Sequence, residues 1–212
     1  EVPGQVLRFG GQLEQQVGVV AHVAHAPGVP VAGVVIAAPA LGHGLLGCHL
    51  GEAAAAEWSE FDLDGSVWTI PAARMKAGRE HRVALSPAAM AMLGALPKDR
   101  RFVFPGTGAR ATHMNPESAR KLLQKDMGHE GLTVHGFRSA FRDWAAERTN
   151  FPAEVVEMAL AHAIENRVEA AYRRGDLFAK RARLMEAWSD FLATVPASAG
   201  NVTPIRKSTA IA

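Results

Sequence analysis

One tyrosine stands in this 212-residue chain, Tyr172, ten residues after His162 and downstream of His135-Gly136-Phe137-Arg138. A phenolic oxygen attacks phosphorus to form a covalent phosphotyrosine when cationic donors neutralise the phosphate and a positioned acid protonates the departing sugar oxygen. Two histidines and an arginine ahead of a single tyrosine are the residue types that this chemistry needs. Taken alone, Tyr172 reads as an aromatic packing residue with its hydroxyl at a rim. Likewise Lys76 alone reads as an exposed turn lysine, the histidines as satisfied structural residues, and Arg138 as an ion-pair arginine. Their joint occurrence turns the reading toward chemistry.

The elements that must position these residues are legible from about Trp58 onward. Ser66-Val67-Trp68-Thr69-Ile70-Pro71 and Glu80-His81-Arg82-Val83-Ala84-Leu85-Ser86 predict two strands, joined through Met75-Lys76-Ala77-Gly78, so Lys76 falls at or near a hairpin tip. Ser86-Pro87 opens a helix to about Leu96, with proline where its missing N–H is harmless, and Asn115-Pro116-Glu117 opens another through Lys125. Thr133 to Arg148 predicts a helix in which His135 and Arg138 share a face. Helices are further expected from Pro152 to Ala161, from Asn166 to Arg174 carrying Tyr172, and from Asp176 to Thr194. In the last, Leu177, Phe178, Leu184, Trp188 and Leu192 lie largely on one side. The expected fold class is α+β, mainly α, with a small antiparallel β-sheet bearing Lys76.

Composition narrows the class. With 48% hydrophobic residues the chain can bury a core, and its apolar runs are interrupted by Gly, Pro and His before a spanning length. A soluble, cytoplasmic protein without membrane contact is expected. One cysteine, Cys48, excludes an internal disulfide and a thiolate metal cluster. His22-Val23-Ala24-His25 lacks a third ligand nearby in sequence, and no G-x-x-x-x-G-K-[ST] loop occurs, so neither metal nor nucleotide cofactor is expected. The net charge of +2 divides unevenly, −3 over residues 1–57 and +5 over the rest, which puts the positive balance with the motifs. Residues 1–45 are rich in Gly, Val, Ala and His without clear periodicity and form a poorly patterned segment. Residues 196–212 read as a flexible tail.

Five separated elements then carry a resemblance. Glu57-Trp58-Ser59-Glu60-Phe61-Asp62-Leu63, the hairpin Arg74 to Val83, His135-Gly136-Phe137-Arg138, Leu160-Ala161-His162 and Ala171-Tyr172-Arg173-Arg174 resemble, in order and spacing, the catalytic domain of phage-type integrases, the tyrosine recombinases. The resemblance covers residues 46–195. It implies site-specific DNA recombination and integration, by strand cleavage and rejoining through a 3′-phosphotyrosine, on double-stranded attachment-site DNA with self-association there. It also implies roles: Tyr172 the nucleophile, Arg138 the second of two phosphate-holding arginines, His135 the histidine beside the phosphate, His162 a donor to a nonbridging oxygen, and Lys76 the proton donor to the leaving oxygen.

One departure stands out. Where the family's R-x-G-E pattern has its first arginine, Cys48-His49-Leu50-Gly51-Glu52 has His49. An imidazole cannot form the charged two-donor clamp of a guanidinium. The alternative expectation is therefore a catalytically impaired integrase remnant that acts only as a DNA-binding or interaction protein. The chain is accordingly expected to be incomplete or degenerate at its N-terminal side, with residues 1–45 diverged, frameshifted or native and a separate DNA-clamping domain absent. Arg173, Arg174, Lys180, Arg181 and Arg183 read either as DNA contacts or as solvated helix faces.

Overall fold

The computed structural model describes residues 49–106, 113–121, 124, 125, 130, 133–162 and 175–194. The expected segment 1–45, the tail 196–212, His22, His25 and the helix from Asn166 to Arg174 lie outside the described residues. The described part is mainly helical with one three-stranded antiparallel sheet.

Helix α1, Leu50–Ala54, opens the described chain. Glu52, at its third position, turns back to accept the His49 N–H at 2.7 Å, placing negative charge at the helix start where the free N–H groups favour it. Strand β1, Phe61–Asp62, pairs with β2, Val67–Ile70, which pairs with β3, His81–Ala84. The register sets Trp68 against Val83 and Ile70 against His81. Because side chains alternate along a strand, these four share the sheet's inner face. The outward partners are Thr69 and Arg82. The expected hairpin is thus present, and Lys76 sits exposed in the turn that closes through Gly78 N–H to Met75 O at 2.9 Å. Gly78 adopts φ +62, which costs glycine little.

Helix α2, Pro87–Gly94, starts where expected: Ser86 Oγ accepts the Ala89 N–H at 3.3 Å and Pro87 occupies the first turn. Helix α3, Pro116–Lys121, follows Asn115, whose Oδ1 accepts from Glu117 N at 3.0 Å. Helix α4, Val134–Arg148, is capped by Thr133 Oγ1, which accepts from Gly136 N at 3.1 Å. Its buried residues Phe137, Ala140, Phe141, Trp144 and Ala145 recur at helical spacing. Helix α5, Ala153–Ala159, contributes Val155, Val156 and Ala159 to the core. Helix α6, Phe178–Thr194, contributes Leu184, Met185, Trp188 and Leu192.

The α4 and α6 stripes meet in an aromatic cluster. Trp144 and Trp188 ring centroids lie 4.9 Å apart, and Phe141 stands edge-on to Trp188 at 5.5 Å, an arrangement the ring quadrupoles favour. Helix α6 begins two residues later than expected, because Leu177 has φ +54, outside helical space, and Asp176 Oδ1 takes the Phe178 N–H at 3.1 Å. Leu177 and Phe178 are accordingly only half-buried.

A polar hub fixes the hairpin's base. Glu60 accepts from Arg74 and from Trp68 Nε1, the latter at 2.9 Å, while Arg74 also donates to the Glu52 carbonyl at α1. The two charged side chains are exposed by 8% and 19%, so removing one strands the other in a poorly solvated place. Glu60→Ala is expected to cost about 3 kcal/mol in urea denaturation. Removing Asp99 from the exposed Arg100 pair should cost about 0–1 kcal/mol. Equal small losses from both would show that the hub does not hold the hairpin.

Candidate functional site

The first turns of α4 deliver two of the predicted residues at different depths. His135 is exposed, whereas Arg138 is only 3% exposed. The Arg138 guanidinium donates to the Leu160 carbonyl beyond the end of α5. One donor is thereby fixed, which anchors the planar group on the turn that follows α5.

That end of α5 is itself closed by a defined turn. Ala161 N–H donates to Met158 O at 3.2 Å, and His162 N–H donates to Glu157 O at 2.9 Å. With Ala161 at φ +55, these bonds make the helix-ending motif that normally places glycine at the left-handed position. The chain reverses there, and His162 emerges beside α5 instead of continuing it. Its Nδ1 meets the Glu157 carboxylate, and Glu157 also meets Arg142 Nε at 2.9 Å.

His49 stands at the start of α1, and its ring is less basic than an ordinary histidine. Partial burial is the leading cause, the Arg138 guanidinium the next; Glu52 opposes, and His135 and His162 add to the lowering. His49, His135, Arg138 and His162 therefore occupy one electrostatic neighbourhood, although the first three come from positions as far apart as 49 and 138. The surroundings thus favour the uncharged form of the His49 ring.

Lys76 is not brought into contact with this group; it remains exposed at the hairpin tip. Tyr172 lies outside the described residues, as do Arg173 and Arg174. Arg181 corrects the expectation of a DNA-facing or solvated side chain. It is 3% exposed, and it donates to the Asp176 carbonyl at 2.8 Å, to Asp176 Oδ2 at 2.8 Å and to the Arg82 carbonyl. Lys180 and Arg183 are exposed, as either reading allows.

Sequence reasoning passed over His81. It shares the sheet's buried face with Ile70 and Val83, and the alternation His81, Val83, Leu85 was the signal that could have placed it inward. Its Nε2 is enclosed with no hydrogen-bond partner among the described residues. Burial, then Arg181, pushes the ring down to about 4; a hydrogen bond to the Ala159 backbone works the other way, and Arg138 adds to the lowering. His81 and Arg138 thus address neighbouring backbone positions, Ala159 and Leu160, at the end of α5.

Comparison with known proteins places this arrangement. A family model described as the phage integrase family matches residues 46–176. Prophage integrase IntA of Escherichia coli (strain K12) is 40% identical over 145 residues, covering 66% of this chain and 35% of that protein. The integrase of Enterobacteria phage P4 is 33% identical over 156 residues, covering 65% and 35%. The chain spans about a third of the length of the curated relatives it matches. Among solved structures, the integrase from mycobacterium phage Brujita superposes with a TM-score of 0.61 at 20% identity, over 92% of this chain and 65% of that one. The XerA recombinase gives 0.52 at 13%, over 90% and 66%. At those identities the likeness is one of fold.

His81 generates a pH prediction. An unfolded chain protonates this ring near 6.5, whereas the folded protein resists until about 4. Its contribution is therefore complete above pH 6.5 and is lost as pH falls toward 4, a change of about 3 kcal/mol. His81→Asn keeps a donor but does not titrate, so its stability should fall less over that interval by about this amount in urea denaturation at each pH. Parallel curves for the two proteins would refute the assignment.

Proposed function

Because the chain belongs to the phage integrase family, we propose that it breaks and rejoins double-stranded DNA at an attachment site, with Tyr172 as nucleophile. The Tyr172 oxygen forms a bond to phosphorus and loses its proton; the bond from phosphorus to the 5′ oxygen breaks; Lys76 gives that oxygen a proton. A 3′-phosphotyrosine and a free 5′ hydroxyl result, and attack by a 5′ hydroxyl reverses the step. The phosphoester bond is retained in the intermediate, so no energy-carrying cofactor enters.

The observation that carries this reading is the grouping of Arg138, His135 and His162 about His49, with Arg138 anchored on the Leu160 carbonyl. The guanidinium brings a permanent charge, and the imidazoles beside it bring ring N–H donors, so the group is suited to an anion. A phosphodiester that gains charge on its nonbridging oxygens in the transition state is the species such a group stabilises best. Residues 46–195 would form the catalytic unit, acting in the cytoplasm and associating with further copies on the DNA. Among the described residues no helix is long and apolar enough to cross a membrane.

His49 favours a second reading. A neutral imidazole at this place supplies no permanent charge, and loss of one preorganised donor to developing charge costs about 10² to 10³ in rate. The chain would then retain DNA contact as an impaired remnant.

A suicide substrate carrying the element's attachment site, scored for covalent protein–DNA adduct, tests both. Adduct should form in the parent and vanish in Tyr172→Phe, which removes only the phenolic oxygen. Undiminished adduct in that variant, or DNA mapped to Ser or Thr, would sink the mechanism.

His49→Arg separates the two readings. The Glu52 carboxylate caps the backbone N–H of residue 49, a bond that any side chain there keeps, so a new guanidinium would start from the same place. Cleavage should rise on the order of 10²-fold with little change in DNA affinity. A folded His49→Arg protein that yields no more adduct than the parent would show that this position does not limit catalysis.

A further inference from the structure

Glu157 is tied to His162 of the proposed phosphate-binding group, and to Arg142 of α4, by more than its place on α5 requires. One carboxylate oxygen lies 2.9 Å from Arg142 Nε on α4, and the other meets His162 Nδ1. Its backbone carbonyl separately receives the His162 N–H at 2.9 Å. Residue 157 therefore holds residue 162 twice, once by main chain and once by side chain.

The three side chains are exposed by 62% for Arg142, 29% for Glu157 and 41% for His162. Ion pairs this open to water add little stability. What the carboxylate does set is the placement of hydrogen on the ring. An ionised carboxylate only accepts, so Nδ1 must carry a hydrogen, and Nε2 is the nitrogen left to face a ligand. Donation to a phosphate oxygen needs hydrogen on Nε2 as well, so a ring that bridges the Glu157 carboxylate and the phosphate carries hydrogen on both nitrogens.

We propose that Glu157 is a positioning residue: it fixes the ring orientation of His162 and the hydrogen on Nδ1, so that Nε2 is presented to the scissile phosphate, while Arg142 holds Glu157 in place. The inference rests on the reading of His162 as a phosphate donor. Carboxylates bonded to the far nitrogen of a working histidine do the same at metal sites, where their loss typically costs about 10- to 100-fold.

Two measurements test it. In the imidazole ¹⁵N spectrum, with His162 assigned by its disappearance in His162→Gln, the parent ring should carry hydrogen on Nδ1, and Glu157→Ala should shift the neutral ring toward hydrogen on Nε2. In the adduct assay, Glu157→Ala should cut the cleavage rate by about tenfold with DNA affinity unchanged. It should have no further effect in a His162→Ala background, as coupling through one ring demands. Glu157→Gln, which keeps an acceptor, should recover part of the rate, and Arg142→Met, which leaves α5 untouched, should lose part of it. Equal losses from Glu157→Ala with and without His162, or a ring that keeps its Nδ1 hydrogen when Glu157 is gone, would overturn the proposal. If the parent forms no adduct, the phosphotyrosine reading fails and the ¹⁵N result alone decides the role of Glu157.

Discussion

Three arginines, each donating to a backbone carbonyl of another segment, hold this fold at its joints. Arg74 reaches from the hairpin to Glu52 in α1, Arg138 from α4 to Leu160 after α5, and Arg181 from α6 to Arg82 in β3. The elements so tied are short, among them a five-residue helix and strands of two and four residues. Such pieces leave many carbonyls unpaired for the apolar surface they bury. A planar guanidinium with several fixed donors satisfies those carbonyls while its stem packs among apolar side chains. The aromatic cluster between α4 and α6 joins a core shared with the sheet and the other helices; the arginines decide where the small elements sit against it.

Arg138 shows the tension in this scheme. Burial of a charge is tolerated only when hydrogen bonds and partners compensate it, and here one compensating bond ends on the turn that presents His162. The same charge depresses the basicity of His49 and His81. Burial is the larger cause at both rings, and the cation that serves as a structural tie adds to it. Structure and site draw on one guanidinium, so substitution at Arg138 would disturb both together.

Much of this was legible from the chain. The hairpin and the Ser86-Pro87 and Thr133 helix starts follow from turn and cap chemistry, and the Leu184, Trp188 and Leu192 stripe of α6 from periodicity. Helix α1 and strand β1 were not identified as elements, since five and two residues carry no period. The late start of α6 depends on a left-handed Leu177, a conformation that its side chain does not announce. Arg181 looked like the other basic residues near it; only the fold shows that Asp176 and the β3 carbonyl enclose it. Of the predicted site, His49, His135, Arg138 and His162 share a neighbourhood and Lys76 occupies the expected tip, while Tyr172 is outside the described residues. Glu157 was missed because its two side-chain partners lie on other segments or beyond a chain reversal, and helix spacing predicts neither.

The reversal itself is where local cost and site geometry meet. Alanine at φ +55 is less favourable than glycine by about 1 kcal/mol, and nothing in the Ala161 side chain offsets that. The surroundings do. Two helix-ending hydrogen bonds close the turn, Arg138 takes the Leu160 carbonyl, and His81 bonds the backbone at Ala159. Four independent contacts from three parts of the fold thus specify one strained residue, more than a flexible loop would need. Such over-determination is the condition under which an exposed histidine keeps a fixed direction. The direction of His162 is therefore a property of the whole fold, set by the hairpin through His81 and by α4 through Arg138, and not of α5 alone.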